Sequence, residues 1–328
     1  MLKYVLKRIL SALVTIFFII TITFFLMKAI PGNPFAAEKM PNPEIEAAMM
    51  AKYGLDQPLW KQYIIYLGNF LRGDFGVSYT KAGLTVNKVI ADGFPFSLTI
   101  GIYASLVVVF AGILFGSVCA LRQNKLIDRF FMVLSTLGST IPSFVFATGF
   151  LFVFSKILGL VPSYGVNNWK GYIGPVIVSA LFSLAYVVRL MRTSTLDVLN
   201  QDYIRTAKAK GQTYWAVVLR HALKNAMIPI VTVIGLQMGT LLAGSIVTEV
   251  IFSIAGVGKY LVDSMNARDY NAVQGCVLLI AFVSAILNLI VDIIYTFIDP
   301  RMKTMYASSK GGFLRGLFHK KKKEEAEA

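Results

Sequence analysis

Long apolar runs separated by short polar segments dominate the chain. Six runs approach the roughly 20 residues a helix needs to cross a hydrocarbon layer about 30 Å thick. They cover residues 9–29, 97–121, 130–154, 173–191, 228–247 and 275–298. Three hydrophilic segments lie between or beyond them, at 31–96, 192–227 and 299–328. The pattern predicts an all-α membrane protein with six transmembrane helices. Its parts are a first helix (1–30), a loop domain (31–96), a five-helix core (97–298) containing the polar loop 192–227, and a basic tail (299–328).

Composition agrees with a lipid environment. Of 328 residues 56% are hydrophobic and 15% charged, and the mean hydropathy is +0.66. A soluble domain carries charge on nearer a quarter of its residues. The formal net charge of +15 comes from 32 Lys and Arg against 17 Asp and Glu. Basic loops resist translocation, and placing the N terminus in the cytoplasm puts nearly all of that excess on the inner side. Both termini are then cytoplasmic and the 31–96 loop is extracytoplasmic. The charge is accounted for by a lipid bilayer and soluble partners, with no role for nucleic acid. Lys3, Lys7 and Arg8 resemble the start of a secretory signal, but the apolar run after them is too long, so an uncleaved first helix is expected. Lys320 to Lys323, followed by Glu324 and Glu325, reads as a solvated tail.

Candidate chemistry within the chain is sparse. Cys119 and Cys276 both fall in apolar runs, and His221 and His319 are far apart, so neither a disulfide framework nor a metal site is expected. Asp74-Phe75-Gly76 matches a kinase triplet without the motifs that give it meaning. Residues 255–260, Ala-Gly-Val-Gly-Lys-Tyr, imitate a phosphate-binding loop, but Ser253 stands where a Gly is required and Tyr260 where Ser or Thr is required. No catalytic residue is assigned, and any use of ATP must come from another chain.

The 31–96 loop opens on Pro31-Gly32-Asn33-Pro34, which must turn. Further on, Leu59, Tyr63, Tyr66, Leu67 and Phe70 recur at helical spacing. That apolar face either caps the chain's own spans or meets an external partner. After the fifth run, Glu249 to Phe252 and Gly256-Val257-Gly258 predict a short element turning back toward the membrane, as a connector or a gate.

The 192–227 loop carries the most information. Asp202 is placed to cap a short helix through Tyr203, Ile204, Arg205, Thr206, Ala207, Lys208, Ala209 and Lys210, and Gly211 to end it in the left-handed conformation. A second helix starts at Thr213 and runs past His221. Small Ala207 and Ala209 among basic residues suit a helix seated in a groove of another protein, or one lying on anionic lipid.

This segment resembles the cytoplasmic signature loop of binding-protein-dependent ABC importer permeases, whose pattern is Glu-Ala-Ala, three residues, Gly. Here those positions hold Arg205-Thr206-Ala207 and Gly211, a departure similar to that of the peptide-permease branch. Tyr53 to Pro58, Gly73 to Ser78, Arg220 to Leu223 and Asp299-Pro300-Arg301 also resemble the dipeptide and oligopeptide permease family, of the first-permease type with a large loop after the first span. The resemblance implies a subunit with no cofactor of its own, in a bacterial or archaeal plasma membrane. It implies pairing with a second homologous permease, two ABC ATPase subunits holding ATP and Mg, and an extracytoplasmic substrate-binding protein. Short peptides are the implied cargo, with nickel or another small solute as the alternative, and an ion-coupled secondary transporter is the competing class. Residues 202–211 would be the helix that docks on the ATPase, with His221 in the element behind it.

Inside the spans, Gly235, Gly239 and Ala243, followed by Gly244, form a stripe of small residues suited to close helix packing, either within the bundle or against the second permease. Asp292 is an acid within a span, with Asn288 on its helix face. Arg189 and Arg192 are its candidate ion-pair partners, and a proton relay is the competing role. Gln237 is a candidate path-lining amide.

Overall fold

The computed structural model describes residues 2–30, 50–81, 83–166 and 168–298. These form helices α1 (Leu2–Ala29), α2 (Leu59–Leu71), α3 (Val86–Leu121), α4 (Leu126–Thr140), α5 (Ser143–Phe150) and α6 (Lys170–Leu199). They continue with α7 (Asp202–Ala209), α8 (Tyr214–Val217), α9 (Lys224–Leu242), α10 (Ile246–Ile251), α11 (Val257–Asn266) and α12 (Tyr270–Ile298). A π-helical turn at Leu151–Ile157 extends α5, and another at Val218–Leu223 joins α8 to α9. Among the described residues the only β contact is a bridge between Val77 and Thr85.

Five helical stretches are long and apolar enough to span a membrane: Val5–Ala29, Val86–Leu121, Lys170–Leu199, Tyr214–Ile251 and Tyr270–Val291. The sixth expected span, at 130–154, is broken. Pro142 forces Ile141 into an extended conformation (φ −72°, ψ 125°), and α4 and the α5 segment meet at a bend of 110°. The second span begins earlier than its apolar run, at Val86 instead of residue 97, because Thr85 caps it by accepting a hydrogen bond from the Lys88 amide at 3.3 Å.

Small residues bring the helices together, as they must where lipid supplies no hydrophobic drive between spans. A Cβ on Gly112 would lie 2.7 Å from Val187 Cγ1, and one on Gly116 would lie 2.6 Å from Met191 Cβ, so α3 and α6 touch almost backbone to side-chain root. Gly101 similarly meets the Leu241 carbonyl of α9. Ile100, Val108, Met191 and Ile230 fill the core behind these crossings. α1 lies at the periphery, with Leu10 and Phe18 more than half exposed, as suits a helix facing acyl chains.

The amphipathic α2 packs on the chain's own first span. Phe24 stacks on Tyr66 with ring centres 5.4 Å apart, Phe25 stacks on Tyr63, and the Tyr63 hydroxyl meets Thr21 Oγ1 at 2.8 Å. Buried Asp269 ties the preceding loop to the start of α12. Its carboxylate accepts from the Ser78 hydroxyl, from the Tyr79 amide at 3.1 Å and from Thr80 Oγ1 at 3.1 Å, and also from the Ala272 amide at 3.2 Å.

The small-residue stripe of the fifth span packs inside the bundle. A Cβ on Gly235 would strike Val291 Cγ1 at 2.3 Å, and one on Gly239 would strike Asn288 Oδ1 at 2.8 Å, both on α12. Ala243 follows the end of α9, and Gly244 (φ +102°) makes the turn into α10. The returning element is the α10–α11 pair. Glu249 Oε2 accepts from the backbone amides of Gly258 at 2.7 Å and Lys259 at 3.2 Å. The amides of the phosphate-loop look-alike therefore hold an internal carboxylate, and a Cβ on Gly256 would collide with it at 2.3 Å.

Candidate functional site

The loop between α6 and α9 builds a compact unit at one end of the bundle. Gln201, in an extended conformation, precedes α7, and Asp202 is the first helical residue instead of the cap that the sequence suggests. Its carboxylate is almost fully exposed and lies 3.7 Å from Arg205 Nη1, a surface pair of little energetic weight. Lys210 and Gly211 close the helix through bonds to the Thr206 and Lys208 carbonyls at 3.0 Å each. Gly211 has φ +76°, the left-handed turn expected of it, and no atom lies within 4 Å of where its Cβ would be. Thr213 starts the second helix by accepting from the Ala216 amide at 3.4 Å.

One face of α7 is closed. Ile204 and Ala207 join Val217 and Ala222 in a small buried core that also includes Val198 and Leu199 at the end of α6. Ala207 therefore fills the chain's own interior and is not available to a groove on another protein, contrary to the expectation from its size. The opposite face is open: Tyr203, Arg205, Thr206, Lys208, Ala209, Lys210 and Gly211 are all exposed. His221 Nε2 lies 2.9 Å from Gln212 Oε1, so this histidine braces the turn after Gly211.

Two aromatic residues went unnoticed in the sequence. Tyr214 and Trp215 stack edge to face at 5.6 Å, are 51% and 63% exposed, and continue the open face of α7 past the Gly211 turn. Their signal was available, since Trp is enriched in contact surfaces and this one sits in the most polar loop of the core.

The small core makes α7 mechanically continuous with two long helices. It is wedged between the end of α6 and the π-helical turn leading into α9, and Ser194 Oγ donates to the Ala226 carbonyl at 3.0 Å, joining those two helices beside it. At the same end, Arg192 forms a two-pronged ion pair with buried Asp128 of α4, Nε to Oδ1 at 2.6 Å and Nη2 to Oδ2 at 2.8 Å. Arg189 Nη1 donates to the Ser135 carbonyl at 2.8 Å and to Ser139 Oγ at 3.0 Å. Both arginines thus clamp α6 to α4, and the side chain of Asp292, their candidate partner, lies outside the described residues. Gln237 Oε1 accepts from Ser183 Oγ at 2.8 Å, linking α9 to α6.

The family model described as binding-protein-dependent transport system inner membrane component matches residues 112–304, and that for the N-terminal part of the same membrane component matches residues 1–101. The oligopeptide transport system permease protein OppB of Haemophilus influenzae is 40% identical over 305 residues, which is 92% of this chain and 100% of that protein. The dipeptide transport system permease protein DppB of Bacillus subtilis is 40% identical over 303 residues, with 92% and 98% covered. The glutathione transport system permease protein GsiC of Shigella flexneri is 38% identical over 307 residues, with 92% and 99% covered. Among solved structures, the inward-facing MetNI methionine ABC transporter superposes with a TM-score of 0.52 at 14% identity, over 64% of this chain and 96% of that chain, a likeness of fold alone. The chain is a multi-pass membrane protein that belongs to the family of binding-protein-dependent transport system inner membrane components.

Proposed function

We propose that this chain is the transmembrane permease subunit of an ATP-driven importer of short peptides, resident in a bacterial or archaeal plasma membrane. Peptide cargo is the reading favoured by relatives named as oligopeptide and dipeptide permeases at 40% identity across nearly the whole length. In this reading α7 faces the cytoplasm, where two ATPase subunits hold ATP and Mg, and a second homologous permease completes the path. An extracytoplasmic binding protein delivers the peptide.

One observation carries the coupling role: α7 has a buried face packed on the end of α6, on α8 and on the π-helical turn that leads into α9, and an exposed basic face opposite it. A load on the open face cannot be absorbed by α7 alone. Moving Ile204 and Ala207 out of their core exposes apolar surface, so displacement of α7 carries α6 and α9 with it. Arg192 and Arg189 pass the motion on to α4, because a buried ion pair stripped of one partner is strongly unfavourable. Nucleotide-driven closure of the ATPases would thereby bias the spans between their two openings, with no reacting group needed in this chain.

The test is peptide-stimulated ATP hydrolysis by the assembled transporter. Ala209→Trp, on the open face, abolishes stimulation while the complex remains folded. Full stimulation in that variant contradicts docking through α7.

A further inference from the structure

A cavity of about 340 Å³ lies at the end of the bundle opposite α7, between the end of α1, one side of α2 and the first turns of α12. Its wall carries one polar side chain that the fold leaves uncommitted. Gln274 is only 4% exposed and lines the cavity, yet its carboxamide has no hydrogen-bond partner among the described residues. Gln62 and Tyr66 stand on the α2 wall, where the Gln62 amide is already committed to the Leu55 and Gln57 carbonyls at 3.1 and 2.6 Å and the Tyr66 hydroxyl is sealed from the cavity. Buried polar side chains are almost always paired, so an unpaired carboxamide on a cavity wall marks a place where a ligand can bond to it.

The chemistry of the lining narrows the occupant. Carboxamides and phenols each donate and accept, which complements a peptide backbone. Lys28 and Lys52 add cationic groups and Asp74 an acid, so the wall offers partners for both charges of a zwitterion. Lys28 Nζ sits 5.9 Å from the centre of the Phe24 ring, above an aromatic face that leaves its ammonium available to a carboxylate. A phosphate headgroup would meet the acid and leave the amides unanswered.

We infer that this cavity binds a short zwitterionic peptide, giving the permease a cargo site of its own in the domain between the first two spans, anchored by Lys28 and Gln274. The inference rests on the peptide reading above.

The experiment is equilibrium binding of trialanine to the full-length chain in phosphatidylcholine nanodiscs, without partner subunits. The wild type binds saturably. Gln274→Leu and Lys28→Met each weaken binding by about tenfold or more, and C-terminally amidated trialanine binds the wild type about tenfold more weakly than the free acid does, a difference that Lys28→Met abolishes. Absence of saturable binding, wild-type binding in both Gln274→Leu and Lys28→Met, or displacement of trialanine by added phosphatidylglycerol overturns the inference. An assembled transporter that imports trialanine although the isolated chain fails these tests overturns only this site. One that imports no peptide at all overturns the function on which it rests.

Discussion

Glu249 and Gly258, nine residues apart, are joined by a 2.7 Å hydrogen bond from the glycine amide to the carboxylate. That bond, with the one from Lys259, satisfies the first turn of α11 and fixes the reversal of the chain between α10 and α11. Ser97 of α3 accepts from the neighbouring Val257 amide at 3.0 Å, so the turn is held from both sides. Glu249→Gln keeps one acceptor oxygen and is expected to cost about 1 kcal/mol. Glu249→Ala leaves buried amides unpaired and costs about 2–3 kcal/mol. Thermal melting of the two purified variants checks the order.

The Arg192–Asp128 pair predicts a larger effect. Asp128 is 2% exposed and its second role is to accept from the Asn124 amide at 2.8 Å, closing the turn between α3 and α4. Arg192→Leu strands that carboxylate and is expected to cost about 3–5 kcal/mol. Combining it with Asp128→Asn recovers part of the loss. A double-mutant cycle on folded yield or melting temperature measures the coupling, and additive losses would contradict it.

Gly211 separates conformation from contact. With open space around its Cβ position, only the positive φ disfavours a side chain there. Gly211→Asn, which tolerates this conformation, retains more peptide-stimulated ATP hydrolysis than Gly211→Val, although a Cβ at this position meets no atom within 4 Å. Equal activity in the two variants would remove the turn from the account.

Alkaline pH should loosen the domain between the first two spans. Burial raises the Tyr66 phenol above its ordinary 10.0, and Tyr79 is raised by burial and then by the nearby Asp269 charge. Groups raised on folding contribute stability that is complete below pH 10 and is lost as pH climbs from there toward the folded value. The melting temperature is therefore expected to be level from pH 7 to about 9 and to fall above about 10, less steeply in Tyr66→Phe.

Much of this architecture was legible because its causes are local. Apolar runs mark the spans, and Gly211 and Thr213 mark the turn and the next helix start by residue type alone. Pro142 was visible, but the 110° break depends on how α4 and α5 pack after the proline disrupts the helix. Arg192 is a candidate partner for Asp292 on sequence alone, but sequence gives charges without distances, and the carboxylate it grips in the structure is Asp128, 64 residues away. Ala207 was read by size as a contact residue. Helical spacing from Ile204 puts it instead on the buried face, a distinction that requires knowing which side of α7 the rest of the chain covers. The amides at 258 and 259 were noted as a failed nucleotide motif, and their true ligand is the glutamate of the preceding helix.

The most direct measurement is trialanine uptake by proteoliposomes that contain the chain with its partner permease, ATPases and binding protein, with ATP supplied on the ATPase side. Uptake against a gradient that vanishes when the ATPases are omitted, or when Ala209 is replaced by Trp, is the predicted result. Accumulation by the chain alone, or undiminished uptake in the Ala209→Trp complex, would contradict the claim that force enters through α7.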